Sequence, residues 1–202
     1  MGRRQRRSAQ TRLRLFRCAL QLFAERGFTN VTVEDITEAA DVGKGTFFNY
    51  FETKDHVLGV MAELQLARVR EAVRSAVSGK RKIFSTLHHM FLRLAEEPGR
   101  SPNLARAVIA SFLASEVVRE VIEQQMSEGR AMIATVVAEG QKRGEVDPRL
   151  KTEDVALQLQ QSILGTVLFW SLRGEPELAT RIESSFQYFW RAIAVPGRER
   201  TP

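Results

Sequence analysis

Apolar residues recur at helical spacing along almost the whole length of this chain of 202 residues. The first such stretch places four apolar side chains on one helical face: Leu13, Phe16, Leu20 and Phe23. No run of alternating β-branched residues competes with this pattern, so we predict an all-α protein. Because 44% of the residues are hydrophobic, the chain can build a packed core, which argues against intrinsic disorder.

Local start and stop signals divide this pattern into about nine helices. Gly27 ends the first helix, and Thr32 with Asp35 three residues later opens the second as a capping-box-like pair. Asp41-Val42-Gly43 breaks the second helix after about two turns, and a short third helix follows from Lys44 to Phe51. We expect the remaining helices near residues 53–78, 81–97, 102–114, 116–143, 152–173 and 177–194.

Two short helices joined by a tight glycine-containing turn, after a longer helix, form a helix-turn-helix arrangement. Such an arrangement is typical of DNA-binding heads, in which the last of the three helices enters the major groove. We therefore predict a three-helix DNA-binding domain over residues 1–52 and a larger helical domain over residues 53–202.

Basic residues are concentrated at the N-terminus. Residues 1–17 hold seven arginines and no acidic residue, which exceeds the net charge of +6 of the whole chain. A local basic block is typical of proteins that bind nucleic acid or an anionic surface, so we interpret it as a basic N-terminal arm. The alternative is a solvated, disordered tail that serves solubility.

Several function classes lack their sequence signatures. The single cysteine, Cys18, excludes a disulfide scaffold and a structural zinc site with two or more thiolates, and it suits a reducing compartment. No window holds the ~18–20 unbroken apolar residues of a membrane span, and no secretory signal follows the basic start, so we expect a cytoplasmic protein without a membrane partner. We find no nucleophile with a base, cofactor loop or metal-ligand cluster, and we expect neither an enzyme nor a bound metal or cofactor.

The helix-turn-helix segment carries a family resemblance. Residues 32–55 read TVEDITEAADVGKGTFFNYFETKD, and residues 19–28 read ALQLFAERGF. These segments resemble the N-terminal signature of the TetR (tetracycline-repressor) family, specifically over about residues 10–60, beyond which only helix number and length agree. The resemblance implies a sequence-specific DNA-binding transcriptional regulator, and specifically a repressor whose operator binding is relieved by a small molecule.

The second and third helices supply the predicted DNA contacts. Gly45 lets the backbone approach the DNA closely, Lys44 projects a cation from the helix start, and Asn49 adds polar reach. Phe47 and Phe51, four residues apart, are predicted to face inward. The resemblance assigns phosphate contacts to Thr32, Thr46, Tyr50 and Lys54, and base-edge contacts to Lys44, Gly45 and Phe48.

Two positions depart from the family pattern. Gly43 stands where the family often has serine, which removes a side-chain cap and a possible phosphate donor. Phe48 stands where the family usually has tyrosine, which favours contact with a thymine methyl group. Both departures leave the DNA-binding prediction in place and blur the operator sequence.

The last two predicted helices are strongly apolar. The eighth has one apolar stripe through Ile163 and Trp170 and a second through Leu164, Leu168 and Leu172, and a helix that is apolar all round is buried on all sides. A second copy is the simplest cover, and a homodimer suits a palindromic double-stranded DNA operator. The alternative is an unusually apolar monomer core. The resemblance likewise implies an interface from these two helices, with predicted interface residues Ile163, Trp170, Ile182, Phe186, Phe189 and Trp190.

By resemblance, the middle helices surround a pocket for a small-molecule effector whose binding changes the spacing of two DNA-binding heads. Such a switch requires that the ligand bind one of two conformations more tightly. The C-terminal domain is thereby assigned to ligand binding and dimerisation. An architectural or weakly specific DNA-binding protein that uses the arginine-rich arm without a ligand switch is the alternative, and it would not need this large apolar half. The apolar residues suited to the pocket are Met61, Leu64, Met90, Phe91, Phe112, Met126, Met132 and Ile133.

Overall fold

The computed structural model describes residues 2–114, 116–175 and 177–196. A 3₁₀ turn at Pro98–Arg100 connects the fifth and sixth helices. The predicted all-α fold, with a helix-turn-helix head and a larger helical body, is confirmed, while residues 197–202 of the predicted second domain lie outside the described part. Over the described ranges the chain forms nine α-helices: α1 (Arg3–Arg26), α2 (Val33–Ala39), α3 (Lys44–Phe48), α4 (His56–Val77), α5 (Ile83–Glu96), α6 (Pro102–Ala114), α7 (Glu116–Lys142), α8 (Thr152–Arg173) and α9 (Leu178–Ile193).

The first helices begin and end at the signals in the sequence. Gly27 follows α1 with a φ of 80°, a conformation that a residue with a Cβ rarely adopts. Thr32 caps α2, because its Oγ1 accepts the Asp35 N–H at 3.1 Å while Asp35 Oδ2 accepts the Thr32 N–H at 2.8 Å. Asp41 then takes a φ of 49° and turns the chain from α2 towards α3.

Two boundaries differ from the prediction. Helix α3 ends at Phe48 instead of Phe51, because the Tyr50 N–H bonds to the Phe47 carbonyl only three residues back, at 2.9 Å. Helix α4 begins only at His56. The short α3 therefore offers little more than one turn of helix to a partner.

The basic arm forms the start of α1. This helix begins at Arg3, and residues 2–10 are exposed along it. The arginines of the arm therefore lie on a helix that continues directly into the core of the head.

Two clusters of buried side chains organise the chain. The first joins α1, α2 and α3 to the start of α4 and to one face of α6, including Leu104 and Val108. The second joins the rest of α4 to α5, α7, α8 and α9. Helix α4 takes part in both, with Leu58 in the first cluster and Val69 in the second. The boundary predicted between residues 52 and 53 therefore stays a prediction.

The loop between α7 and α8 closes the body against the end of α9. Val146 forms an isolated antiparallel bridge with Ala194, and the Asp147 N–H donates to the Ile193 carbonyl at 2.8 Å. The Asp147 carboxylate is in turn held by Arg149. These contacts fix where α9 packs across α5 and α8.

Helix α8 is apolar on two faces. Its inner face, which includes Leu159, belongs to the second cluster, whereas Phe169 and Leu172 on the outer face are 66% and 61% exposed. By length and composition alone, α8 is long and apolar enough to cross a membrane. In this fold, however, its inner face packs in the second cluster. The outer face is the largest apolar feature that the fold leaves uncovered on α8.

Candidate DNA-binding surface and ligand cavity

Helix α3 presents a solvent-facing surface beside the turn that precedes it. Phe47 and Phe51 are buried in the first cluster with ring centroids 5.4 Å apart. A Cβ at Gly45 would meet no atom within 4 Å, so the backbone there is open to close approach. The exposed residues at and just after α3 are Lys44, Gly45, Phe48 and Asn49, four of those predicted to contact DNA.

An ion pair joins α2 and α3 at this surface. Lys44 Nζ lies against Glu34 Oε1, and the two side chains are 55% and 62% exposed. The hydrogen bond from Lys44 is the main cause that lowers the pKa of Glu34, so this carboxylate stays ionised near neutral pH. A phosphate or base edge that binds Lys44 therefore shares the ammonium with Glu34 or replaces it.

The three hydroxyl residues predicted to contact phosphates lie in different settings. Thr32 Oγ1 donates to Asp35 Oδ2 at 2.6 Å, which lowers the pKa of Asp35 and commits the hydroxyl to the cap of α2. Thr46 is half-buried on α3. Tyr50 is half-buried and lines a cleft of about 200 Å³ that also contains Arg12. Of the three, Thr46 lies on α3 itself, whereas Thr32 begins α2 and Tyr50 follows α3.

Lys54 has partners inside the head. Its Nζ donates to the Phe28 and Val31 carbonyls at 2.9 Å each and lies 3.4 Å from the Thr29 carbonyl. The ammonium also lies 4.7 Å from the centroid of the Phe28 ring. Because an ammonium has three N–H donors, this geometry uses the side chain to hold the loop after α1. The phosphate contact predicted for Lys54 stays a prediction, and the ammonium would have to exchange a carbonyl partner for a phosphate to make it.

The N-terminal arginines divide into an exposed set and one packed residue. Arg12 forms a bidentate pair with Glu63 of α4, at 2.8 Å and 2.7 Å, and its guanidinium carbon lies 5.7 Å from the Phe51 ring centroid. This pair lowers the pKa of Glu63 and ties α1 to α4. The exposed arginines, which remain available to an anionic partner, are Arg3, Arg4, Arg6, Arg7, Arg14 and Arg17.

An apolar cavity of about 190 Å³ lies in the helical body. Helix α4 lines it with Met61 and Leu66, α6 with Phe112, α7 with Ile133 and α8 with Val167. Three amides interrupt the apolar lining: Gln65, Gln125 and Gln160. The volume and the apolar walls suit a small organic molecule.

Half of the residues predicted to line the cavity do so. The structure brings Met61, Phe112, Met126 and Ile133 together around it. Leu64 instead packs against the first cluster, and Met132 packs against the second. Met90 and Phe91 lie in the second cluster on α5, where the Phe91 ring packs 5.4 Å from Phe186 of α9. Contact with α9 buries Phe91, whereas Met90 lies beside residues of α4 at a separate cleft.

The residues predicted for the dimer interface lie inside the protomer. Phe186 packs with Phe84 and Phe91 at 5.4 Å each, and the surrounding aromatic cluster fills the space between α5 and α9. Five of them are buried in the second cluster and half-buried Ile163 lines the cavity, so their place in a dimer interface stays a prediction: the buried residues are Trp170, Ile182, Phe186, Phe189 and Trp190. The exposed large apolar residues of α8 and α9, which we call the outer apolar face, are Leu164, Leu168, Phe169, Leu172 and Tyr188.

A helix-turn-helix head joined by one long helix to a cavity-containing helical body defines a DNA-binding transcriptional regulator. The family described as "Bacterial regulatory proteins, tetR family" matches residues 15–61, and "Tetracyclin repressor-like, C-terminal domain" matches residues 104–186. The chain belongs to the TetR family of bacterial transcriptional regulators, as the resemblance of its head implies.

Known proteins are similar to this chain over segments of different length. The HTH-type transcriptional regulator TcmR of Streptomyces glaucescens is 46% identical over 56 residues, which are 28% of this chain and 25% of that protein. The HTH-type transcriptional repressor DhaR of Mycobacterium sp. (strain GP1) is 26% identical over 150 residues, 73% of this chain and 76% of DhaR. The crystal structure of Thermus thermophilus FadR, a TetR-family repressor in complex with lauroyl-CoA, aligns with a TM-score of 0.65 at 28% identity, covering 95% of this chain and 99% of that chain.

The polar residues of the two sites that the sequence predictions omit are Glu34, Gln65, Gln125 and Gln160. Glu34 is ten positions from Lys44, and only the turn between α2 and α3 brings the two together. Gln160 follows Leu159 on the inward side of α8, and an amide on an otherwise apolar helix face is the signal that could have found it.

Proposed function

We propose that the chain is a repressor that binds a palindromic operator as a homodimer and releases it when a small molecule occupies the cavity. Helix α4 is the observation that most favours this function. Its first turns, with Val57 and Leu58, pack in the helix-turn-helix cluster, and its next turns line the cavity with Met61, Gln65 and Leu66. One continuous helix therefore touches both the predicted DNA reader and the predicted effector site.

The switch needs two positions of α4 relative to the rest of the body. An effector that fits the cavity better in one position shifts the population towards it and carries the head along. Coupling free energies between two such sites are typically about 1–3 kcal/mol, which corresponds to roughly 5- to 150-fold in affinity. In a dimer the same displacement occurs twice and changes the spacing of the two heads.

DNA recognition in this proposal centres on α3 in the major groove. Lys44, Gly45 and Phe48 face base edges, with Phe48 suited to a thymine methyl group, while Asn49 adds polar contact. Thr46 and Tyr50 lie near phosphates on either side, and the exposed arginines at the start of α1 add sequence-independent affinity. Thr32 contributes by holding the N-terminus of α2 in place.

The second copy is proposed to cover the outer apolar face. Phe169 and Leu172 of α8 and Tyr188 of α9 are each more than 60% exposed, and helices with such faces pack in pairs. A twofold arrangement then presents two heads to half-sites separated by one helical turn of DNA or a multiple of it. Such a regulator acts on the bacterial chromosome, which places it in the cytoplasm.

The relatives support the assignment to repressors with effectors. DhaR is named a transcriptional repressor, and the FadR structure holds lauroyl-CoA. An architectural DNA-binding protein is less well supported, because the basic arm alone would serve it and the apolar cavity would have no use.

Selection of bound duplexes from a random library tests the proposed function. We expect an enriched inverted repeat whose affinity exceeds that of bulk DNA by at least about 10³-fold at matched salt. Addition of an effector found by thermal-shift screening should then release the selected duplex. A ratio near one between selected and bulk DNA would favour the architectural alternative and overturn the proposal.

A further inference from the structure

The cavity walls contain acceptors that lack donors. Gln125 Oε1 and Gln160 Oε1 are buried, and no donor of the described residues lies within hydrogen-bonding distance of either. A buried acceptor without a partner is costly, so native structures usually satisfy it with protein, water or a ligand. Both amides line the cavity, so a molecule bound there is placed to donate the missing hydrogen bonds.

The orientation of Gln160 is fixed by its own second group. Its Nε2 donates to the Met126 carbonyl at 2.8 Å, so the amide cannot flip without losing this bond. Oε1 is therefore presented as an acceptor. Gln65, the third amide of the lining, has a partner at each polar atom in contrast: Nε2 donates to the Leu94 carbonyl at 2.8 Å, and Oε1 accepts from Arg68 at 3.3 Å.

Charge and size limit the ligand further. The cavity lining, as far as the structure describes it, consists of uncharged residues, and apart from the three glutamines these are apolar. An anion would find no cation there and would face acceptor oxygens, at a high desolvation cost. An engineered apolar cavity of about 150 Å³ holds benzene, so this cavity of about 190 Å³ suits a somewhat larger skeleton.

We infer that the effector is a neutral, largely apolar molecule of about the size of a fused two-ring aromatic, which donates a hydrogen bond to Gln160 Oε1 and can reach Gln125. This inference rests on the proposed function, because it names the ligand class of the proposed effector site. A ligand hydroxyl or amide N–H can donate to these acceptor oxygens and so take the place of a bound water. An ether or a carboxylate has no hydrogen to donate, so it would displace the water and leave the acceptors unpaired. The donor group therefore distinguishes effectors from other apolar molecules.

Three probes with one ring system test the ligand class by calorimetric titration of the full chain: 2-naphthol, 2-methoxynaphthalene and 2-naphthoate. We expect 2-naphthol to bind about tenfold more tightly than the methyl ether, and the carboxylate to bind more weakly than both. Equal affinity of the naphthol and the ether, tighter binding of the carboxylate, or no binding of any probe would overturn the inference.

Substitutions then locate the acceptor. In Gln160→Leu the preference for the naphthol over the ether should fall to about one, whereas Gln158→Leu, the same change at an exposed position of α8, should keep it. Gln125→Leu provides a second variant if Gln160→Leu unfolds, and it should reduce the preference severalfold. A preference that persists in both cavity variants would contradict the assignment.

These titrations contain no DNA, so they separate the two proposals. If 2-naphthol is preferred but no duplex is enriched by selection, the ligand class stands and the operator function fails. If a duplex is enriched and released by a carboxylate or a hydrocarbon only, the repressor function stands and the ligand class fails.

Discussion

Lys44 at the start of α3 is paired with Glu34 in the first turn of α2, and both side chains are more than half exposed. The pair places a carboxylate beside the one lysine of the predicted base-reading surface. DNA would meet this carboxylate together with the ammonium, so Glu34 competes with the phosphates for Lys44 and repels them. Glu34 thus opposes binding of any duplex that does not offer Lys44 a better partner.

We expect Glu34→Gln to raise affinity for selected and bulk DNA by about two- to fivefold, because the neutral amide no longer repels phosphates and competes less strongly for Lys44. Anisotropy titrations with both kinds of duplex at several salt concentrations measure this change. Glu38→Gln, an exposed position on the same helix, controls for the loss of one negative charge. A larger gain in the Glu38 variant than in the Glu34 variant would show that general charge, and not the pair, is responsible.

Lys54→Met separates an internal role from a phosphate contact. Loss of the bonds to the Phe28 and Val31 carbonyls should lower the free energy of unfolding by about 1–3 kcal/mol, measured by urea titration. The slope of log affinity against log salt should stay unchanged, since no phosphate contact is lost. Arg4→Met, at one of the exposed arginines proposed to bind phosphates, provides the comparison and should reduce that slope by about 0.9. An equal reduction in Lys54→Met would support the phosphate contact that the sequence predicted.

The sequence predicted the helices well because most of their ends carry local chemistry. Gly27 is suited to the positive φ that follows α1, and Thr32 carries the hydroxyl that caps α2. Pro102 has no N–H to donate to an earlier carbonyl, which suits it to the first position of α6. Each boundary therefore depends on a residue at that place. Buried Phe47 and Phe51 followed from their spacing. Periodicity and capping residues are sufficient to predict a helix boundary or a buried side chain when the residues that determine it lie within about one helical turn.

Local sequence signals could not predict contacts between segments that are distant along the chain. Lys54 binds carbonyls more than twenty positions earlier in the chain, and nothing near Lys54 in the sequence distinguishes that use from a phosphate contact. Helix α8 has two apolar stripes of similar strength, so periodicity could not decide that Trp170 faces the core and Leu172 the surface. That choice depends on the packing of α9 and α5, which only the three-dimensional structure contains.

The outer apolar face is expected to hold the dimer together. Leu172→Glu places a charge within the proposed interface and should weaken dimerisation by roughly a hundredfold, with little effect on the fold because the side chain is 61% exposed. Sedimentation velocity at micromolar concentration gives the oligomeric state. Val77→Glu, at a 64% exposed apolar position at the end of α4, is the control and should leave it unchanged. A wild-type monomer in the same experiment would refute the homodimer.

Asp147 should make the folded body sensitive to acid. Its carboxylate accepts hydrogen bonds from Arg149 Nε at 3.0 Å and 3.1 Å, from Nη2 at 2.6 Å and from the Arg149 N–H at 2.9 Å, which lowers its pKa to about 2. In the unfolded chain an aspartate is protonated near pH 3.9. The folded state therefore binds this proton less readily, so the stabilisation is complete above about pH 5 and is lost as the pH falls from about 4 towards 2.

Asp147→Asn removes this dependence. The variant should unfold at a lower urea concentration than the wild type at pH 6, and the two midpoints should converge as the pH approaches 2. Asp154→Asn, an exposed position in the first turn of α8, changes the charge equally but leaves the Arg149 contacts in place. Because Asp147 also donates its N–H to the Ile193 carbonyl, convergence at low pH would show that the carboxylate, and not the backbone contact, causes the acid sensitivity. A constant difference between wild type and Asp147→Asn from pH 6 to pH 2 would contradict it.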